Sequence, residues 1–212
     1  MAEPKEEITK QDVDALKKLV KDFDEWEEAN SKIAENLKAR QRFSGTLGEA
    51  HSIIDLWSKK GEQEKMYWRG AGKKGPDIII GEKGIQIKTS AGTKLDGEPA
   101  VQLLTSNHSG WKKLRSEKNK KMVKRRLEKD IQSYIDKRME KTELWIVVDA
   151  RYKKPNYFTL NKRQLSAIVC SLEYFSKPHY INRWHYGITK AGNIRHIIKL
   201  SKLHRYKGLR IK

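Results

Sequence analysis

The sequence predicts an α/β protein: a mixed β-sheet flanked by helices, with one long helix at the N-terminus. Three observations carry that reading. Residues 8–40 contain neither Gly nor Pro and space their apolar side chains at a helical period. Two runs of β-branched residues, Ile78 to Ile80 and Ile85 to Ile87, flank a turn-like Gly81-Glu82-Lys83-Gly84, which is a hairpin signature. A third apolar run, Leu144 to Ala150, follows a segment of helical periodicity, as expected of a crossover returning to the same sheet.

Taken in order, residues 8–40 read as one helix or two in series. Thr9 followed by Asp12 offers an N-capping pattern. The apolar seam runs through Val13, Leu16, Val20 and Phe23, lapses at Glu27 and Asn30, and resumes at Ile33 and Leu37. Such a seam packs on the protein body or on a second copy of itself, so a homodimer is one expectation. A second helix is expected from Thr46 to Lys59, ending at Gly61, with Leu47, Ala50, Ile53, Ile54 and Trp57 on its apolar face and Glu49 at the edge. Lys65 to Arg69 reads as a short strand, and the basic, glycine-rich Gly70 to Gly75 leads into the hairpin.

Beyond the hairpin, a short strand is expected at Ala100 to Thr105. Trp111 to Lys141 carries 13 basic and 5 acidic residues on a helical pattern, with Met122, Val123, Leu127, Ile131, Tyr134 and Ile135 as its stripe. Asn161 should cap a helix reaching Ser171, and Trp184 to Thr189 with Ile194 to Leu200 reads as a closing hairpin. The tail, Ser201 to Lys212, has five basic residues and no acid, and is expected to be mobile. The organisation implied is an N-terminal helical extension over 1–43, a core domain over 44–200 and a basic tail over 201–212.

Charge narrows the partners. The chain of 212 residues has a formal net charge of +19, unevenly placed: residues 1–40 hold 8 basic and 11 acidic side chains, the remainder 38 and 16. A concentrated basic excess implies a polyanion, most economically nucleic acid, because neutralising phosphates releases counterions whatever the sequence. Cys170 is the one cysteine and sits in an apolar run, as a buried thiol would; with no disulfide framework, a reducing, cytoplasmic setting is expected. No stretch has the length of a membrane span, and the start M-A-E-P-K-E-E lacks a secretory signal's apolar region. The six histidines show no zinc-ligand spacing, and Gly70, Gly72 and Gly75 lack the Lys-Ser/Thr ending of a nucleotide-binding P-loop.

The candidate chemistry lies in Gly75 to Ser90. Asp77 enters the first strand of the hairpin, while Gln86 and Lys88, two residues apart, point to one face of the second. An acid, an amide and an amine beside one strand pair suit phosphodiester cleavage. Asp77 with a nearby acid would hold Mg²⁺ or Mn²⁺, and Lys88 would orient or help to deprotonate the attacking water.

Pro76-Asp77 with Gln86-Ile87-Lys88 resembles the PD-(D/E)XK nuclease superfamily, whose restriction-endonuclease-like fold runs helix, three-stranded meander, helix, strand. The likeness covers about residues 44 to 150. Length, the single cysteine and basic character also resemble the small nucleases of archaeal spindle-shaped viruses (fuselloviruses), which would place the protein in the host cytoplasm. The resemblance implies Glu49, in Leu47-Gly48-Glu49-Ala50, as a further metal ligand, Asp77 as a ligand, Gln86 as an auxiliary ligand, the Ile87 carbonyl as another, and Lys88 as the catalytic amine. Gln86 departs from the usual acid; glutamine offers a carbonyl oxygen but no charge, so affinity for a second cation should fall.

The expected activity is thus Mg²⁺- or Mn²⁺-dependent cleavage of DNA, duplex or branched, in the manner of a junction resolvase or a repair nuclease. Lys112, Lys113, Lys120, Lys121, Lys124 and Arg125 would grip the phosphates. The alternatives are a catalytically inactive DNA-binding protein of the same fold, or an RNase using the same site.

Overall fold

A computed structural model of the protein describes residues 6–61, 63–69, 75–90, 92, 94–95, 97–107, 125, 129, 132–133, 136, 142–171, 186–188 and 193–211. It is a mixed α/β structure with a long N-terminal helix. That helix, α1 (Lys10–Ala29), begins with a full capping box: Thr9 accepts from the Asp12 amide, and the Asp12 carboxylate accepts from the Thr9 amide at 2.8 Å. The helical stretch does not run unbroken to residue 40. It yields to α2 (Ser31–Leu37) and α3 (Ala39–Arg42), with Lys38 left-handed at φ +51° between them. Arg40 fastens this bend to α1, its guanidinium on Asp24 and on Glu27 at 2.9 Å, over the face of Phe23.

The apolar seam divides earlier, at Asn30, where α1 gives way to α2. Val13 and Val20 are buried, Val13 against the central core and Val20 beside Leu47 and Ala50 of α4 (Ser44–Leu56). Ile33 and Leu37 are 55% and 44% exposed. The first half therefore packs on the body, and the second half faces outward.

One sheet holds six strands, which are hydrogen-bonded in the following order: β1 (Glu6–Glu7), β2 (Met66–Trp68), β3 (Ile78–Ile80), β4 (Lys83–Ser90), β7 (Thr142–Asp149) and β8 (Asn156–Asn161). β2, β3 and β4 form an antiparallel meander, and β4 pairs parallel with β7. The expected crossover into β7 is therefore present, and the described positions of the preceding segment, among them Arg125 and Lys129, are helical. The hairpin link is tighter than the sequence suggested: β4 starts at Lys83, leaving Gly81-Glu82 with Gly81 at φ +56°, a conformation open to Gly at little cost.

A second sheet runs, in spatial order, through β5 (Lys94–Leu95), β6 (Glu98–Asn107), β10 (Asn193–Lys199) and β9 (Tyr186–Ile188). The closing hairpin expected from the sequence is β9-β10. Ser90 joins the sheets: its hydroxyl donates to the Ala100 carbonyl, while its own carbonyl accepts from Ala150. Helix α5 (Lys162–Ser171) starts at Asn161, which exchanges hydrogen bonds with Gln164 in both directions and so satisfies two free groups at once.

The core lies on the sheet face carrying Ile78, Ile80, Ile85, Ile87, Ile146 and Val148, covered by Ile53 and Leu56 of α4 and by Val13. The terminal residues expected to be mobile are instead seated. Leu200–Tyr206 forms a 3-10 helix with Leu203 fully buried, Leu209 and Ile211 pack against the core, and Thr159 Oγ1 donates to the Gly208 carbonyl at 2.7 Å. Apolar positions in a basic tail decided its fate, since burying them outweighs charge left at the surface. No helix among the described residues is long and apolar enough to cross a membrane.

Candidate active site

The site begins where a β-ladder stops. Antiparallel pairing puts Ile78 opposite Ile85, and one more step in each direction puts Asp77 opposite Gln86 and Pro76 opposite Ile87. Proline has no N–H to continue the ladder. The chain turns away at Gly75, φ +116°, and the Ile87 amide finds another partner: it donates to Asp77 Oδ2 at 2.7 Å. In an antiparallel strand the N–H and C=O of one residue face the same neighbour, so the Ile87 carbonyl opens toward this side as well. The Pro-Asp pair thus ends the strand and supplies the carboxylate that satisfies the end.

Gln86, 8% exposed, donates its amide N–H to the same Asp77 oxygen. Only its NH₂ end can face a carboxylate, which offers acceptors alone, so Oε1 is the end turned from that contact. Two donors on Oδ2 fix the plane of the Asp77 carboxylate and leave Oδ1 for another partner.

Glu49 arrives from α4. That helix crosses β4 so closely at Gly48 that a Cβ there would lie 2.1 Å from Thr89 Oγ1. The contact places Glu49, one residue on, beside Lys88, one residue back from Thr89. Glu49 lies near both Asp77 and Lys88 and lines one cavity with Trp68. Residues at 49, 77, 86 and 88, drawn from three elements, therefore meet in one place.

Their charges perturb one another. Burial, then the like charge of Asp77, raises the Glu49 carboxyl above its usual range, against the pull of Lys88 and of the nearby Trp68 indole. Burial also raises Asp77, opposed by the Ile87 amide, Lys88 and Gln86. Burial lowers Lys88 although both carboxylates act to raise it. Each charged form is held at a cost, as is common where groups are placed for chemistry rather than stability.

A divalent cation fits this set. Two desolvated carboxylates, with the Ile87 carbonyl opening toward the Asp77 side, offer the oxygen donors Mg²⁺ and Mn²⁺ take, and a cation would relieve the repulsion between Glu49 and Asp77. No group of three or more His, Cys, Asp or Glu able to share a metal occurs among the described residues. Such an ion would complete its shell with the Ile87 carbonyl, water and substrate.

His51, two residues from Glu49, turns from the site toward Asp55, Asp24 and Arg40, and burial lowers its pKa. Of the expected phosphate-gripping residues, Arg125 is helical and exposed; Lys112, Lys113, Lys120, Lys121 and Lys124 lie outside the described residues. One contributor was missed from the sequence: Gly48 is legible as significant only once Thr89 is known to lie against it.

Compared with known proteins, the chain matches no family model, no curated protein and no solved structure.

Proposed function

We propose that this chain is a divalent-metal-dependent DNA endonuclease of the PD-(D/E)XK type. One observation carries the reading: Glu49 of α4 comes to the Asp77 and Lys88 of the hairpin, with the Asp77 carboxylate already oriented by Ile87 and Gln86. Glu49, Asp77 and the Ile87 carbonyl would hold Mg²⁺ or Mn²⁺, with Gln86 Oε1 as an auxiliary ligand. The ion, when bound, supplies Lewis-acid stabilisation of the charge that develops on the phosphate.

The chain's own groups account for the rest. The two donors on Asp77 Oδ2 pre-orient Oδ1, so no side-chain freedom is lost as the site fills. Lys88, its proton loosened by burial, orients the attacking water and in its neutral form accepts the water's proton. The basic excess outside the N-terminal 40 residues, including Arg125 and the lysines at 112, 113, 120, 121 and 124, grips the phosphates of duplex or branched DNA. Paired cuts, as in junction resolution, would suit a homodimer, for which the exposed Ile33 and Leu37 of α2 offer a face.

A second reading, a DNA-binding protein of the same fold without activity, draws on the neutral Gln86 and on a site with two carboxylates among the described residues. Nicking of supercoiled plasmid under Mn²⁺ titration separates the two, with Asp77→Ala alongside. The nuclease reading expects cleavage by the wild type and none by the variant. Two inert proteins that still bind DNA support the silent reading, and equal activity in both removes Asp77 from the chemistry.

A further inference from the structure

A cavity of about 510 Å³ lies between α1, α4 and the edge strands β1 and β2, within the roughly 300–1,000 Å³ span of small-ligand pockets. Two of its lining residues border the site. Glu49 is one, on the helix that Gly48 seats against Thr89. Trp68 is the other, and the next amide along the chain, that of Arg69, donates to the Asp77 carbonyl at 3.2 Å. A phosphate held at Asp77 therefore brings its own nucleoside within reach of the cavity.

The lining disfavours phosphate and suits a flat, uncharged group. Leu16, Ala50 and Ile53 supply apolar surface, and Trp68, 37% exposed, offers a ring face. Among the described residues the charged lining is Glu6, Glu7, Asp12 and Glu49, all acids, in a chain of net charge +19. Such a rim repels the DNA backbone but accepts a neutral base rich in N–H donors. Glu7 is engaged by Lys65 at 3.2 Å, and Asp12 caps α1. Glu6 stands opposite Trp68 in the β1–β2 ladder, and antiparallel partners share a face with Cβ atoms about 5 Å apart. A base stacked on that ring can turn its donor edge to the Glu6 carboxylate, which is an acceptor only. Guanine suits this best, because N1–H and N2–H₂ can donate together to one carboxylate, whereas thymine has a single N–H between two carbonyls.

We propose that this cavity is a nucleobase pocket, which receives an unpaired base next to the phosphate at the site, guanine in preference. The proposal rests on the nuclease reading and narrows its substrate. DNA carrying an unpaired nucleotide, at a branch, a bulge or a strand end, is taken ahead of perfect duplex, where the base must first be unstacked and unpaired.

The test uses labelled DNAs of one sequence: a perfect duplex, and the same duplex with a single bulged guanine, bulged thymine or bulged abasic residue. Affinity is read by fluorescence anisotropy in EDTA for wild type, Trp68→Ala and Ala15→Trp, the last filling the cavity from an exposed position of α1. Wild type should bind the guanine bulge about 10-fold more tightly than the abasic bulge, the scale of one base–aromatic stack, with thymine between them. In both variants that ratio should fall toward one. Each ratio is taken within one protein, so a change in overall DNA affinity does not enter it; if Trp68→Ala melts well below wild type, Ala15→Trp decides alone. Equal affinity of wild type for the guanine and abasic bulges overturns the proposal, as does a guanine preference that survives in Ala15→Trp. Cleavage of the same DNAs under Mn²⁺ is scored separately. Cuts beside the bulged guanine support both the pocket and the nuclease reading. A guanine preference in binding with no DNA cleaved keeps the pocket and removes the nuclease, and cuts that ignore the bulge keep the nuclease and overturn the pocket.

Discussion

The Ile87 amide donates to Asp77 Oδ2 at 2.7 Å, at the ladder position where Pro76 would otherwise face Ile87. This bond ties the site's principal carboxylate to the backbone of the strand that carries Gln86 and Lys88. Substitutions at Asp77 should therefore separate charge from hydrogen bonding.

Asp77→Asn keeps an acceptor for the Ile87 amide and removes the charge. Cleavage should fall by at least about 100-fold, the scale of removing a group that acts on the transition state, with no loss of thermal stability. Asp77→Ala leaves the amide of Ile87 and the NH₂ of Gln86 without this acceptor, a cost of about 1–3 kcal/mol for a buried group left unpaired. Melting of the two variants side by side checks this; equal stability would show that the bond carries little.

Gly48 sets how closely α4 approaches β4. In Gly48→Ala the new Cβ would meet Thr89 Oγ1 at 2.1 Å, so helix or strand must shift, at about 1–3 kcal/mol. Melting temperature should drop, by about 2–4 °C per kcal/mol in a chain of this size, and cleavage should fall further because Glu49 moves with the helix. Pairing it with Thr89→Ala should restore part of both. A Gly48→Ala protein with wild-type melting and cleavage would show the contact to be slack.

Lys88 is expected to make cleavage rise with pH. Burial lowers its pKa below the ordinary 10.5, so the neutral amine appears at a lower pH than in solution. Single-turnover rates should climb about tenfold per pH unit below the lowered value and level off above it. Arginine cannot give up its proton in this range, so Lys88→Arg should be slow with a flat profile. A Lys88→Arg profile parallel to wild type would assign the pH dependence elsewhere.

Glu49 illustrates a conflict between stability and chemistry. Its folded-state pKa lies above the ordinary 4.5, so folding favours the neutral acid. That contribution is fully present below pH 4.5 and is lost as pH rises through the raised value. At neutral pH the ionised form is a cost, which Glu49→Gln removes while keeping nearly the same shape. Without metal, this variant should melt a few degrees higher than wild type near pH 7–8, by about 2–4 °C per kcal/mol. The gap should close toward pH 4 as the wild-type acid takes up a proton, and cleavage should be lost. An unchanged or lower melting temperature at neutral pH would contradict the cost assigned to the ionised carboxylate.

The sequence by itself determined the elements and half of the site. Period-two and period-3.6 patterning fix β3, β4, β7, α1 and α5 because local backbone geometry sets which residues share a face. Asp77, Gln86 and Lys88 are legible for the same reason, since hairpin pairing is a short-range matter. Tertiary structure alone decided the rest. It split the N-terminal seam, burying Val13 and Val20 and exposing Ile33 and Leu37, because the helix breaks at Asn30 with no glycine or proline to announce it, and the chain turns again at the left-handed Lys38 beside the Arg40 ion pairs. It seated the basic tail, whose Leu203, Leu209 and Ile211 had no local periodicity to reveal a partner. It also brought Glu49 to Asp77, through the contact of Gly48 with Thr89, 41 residues apart in sequence. Local propensity carries no record of which distant surfaces will meet; that is fixed only when the shared core closes.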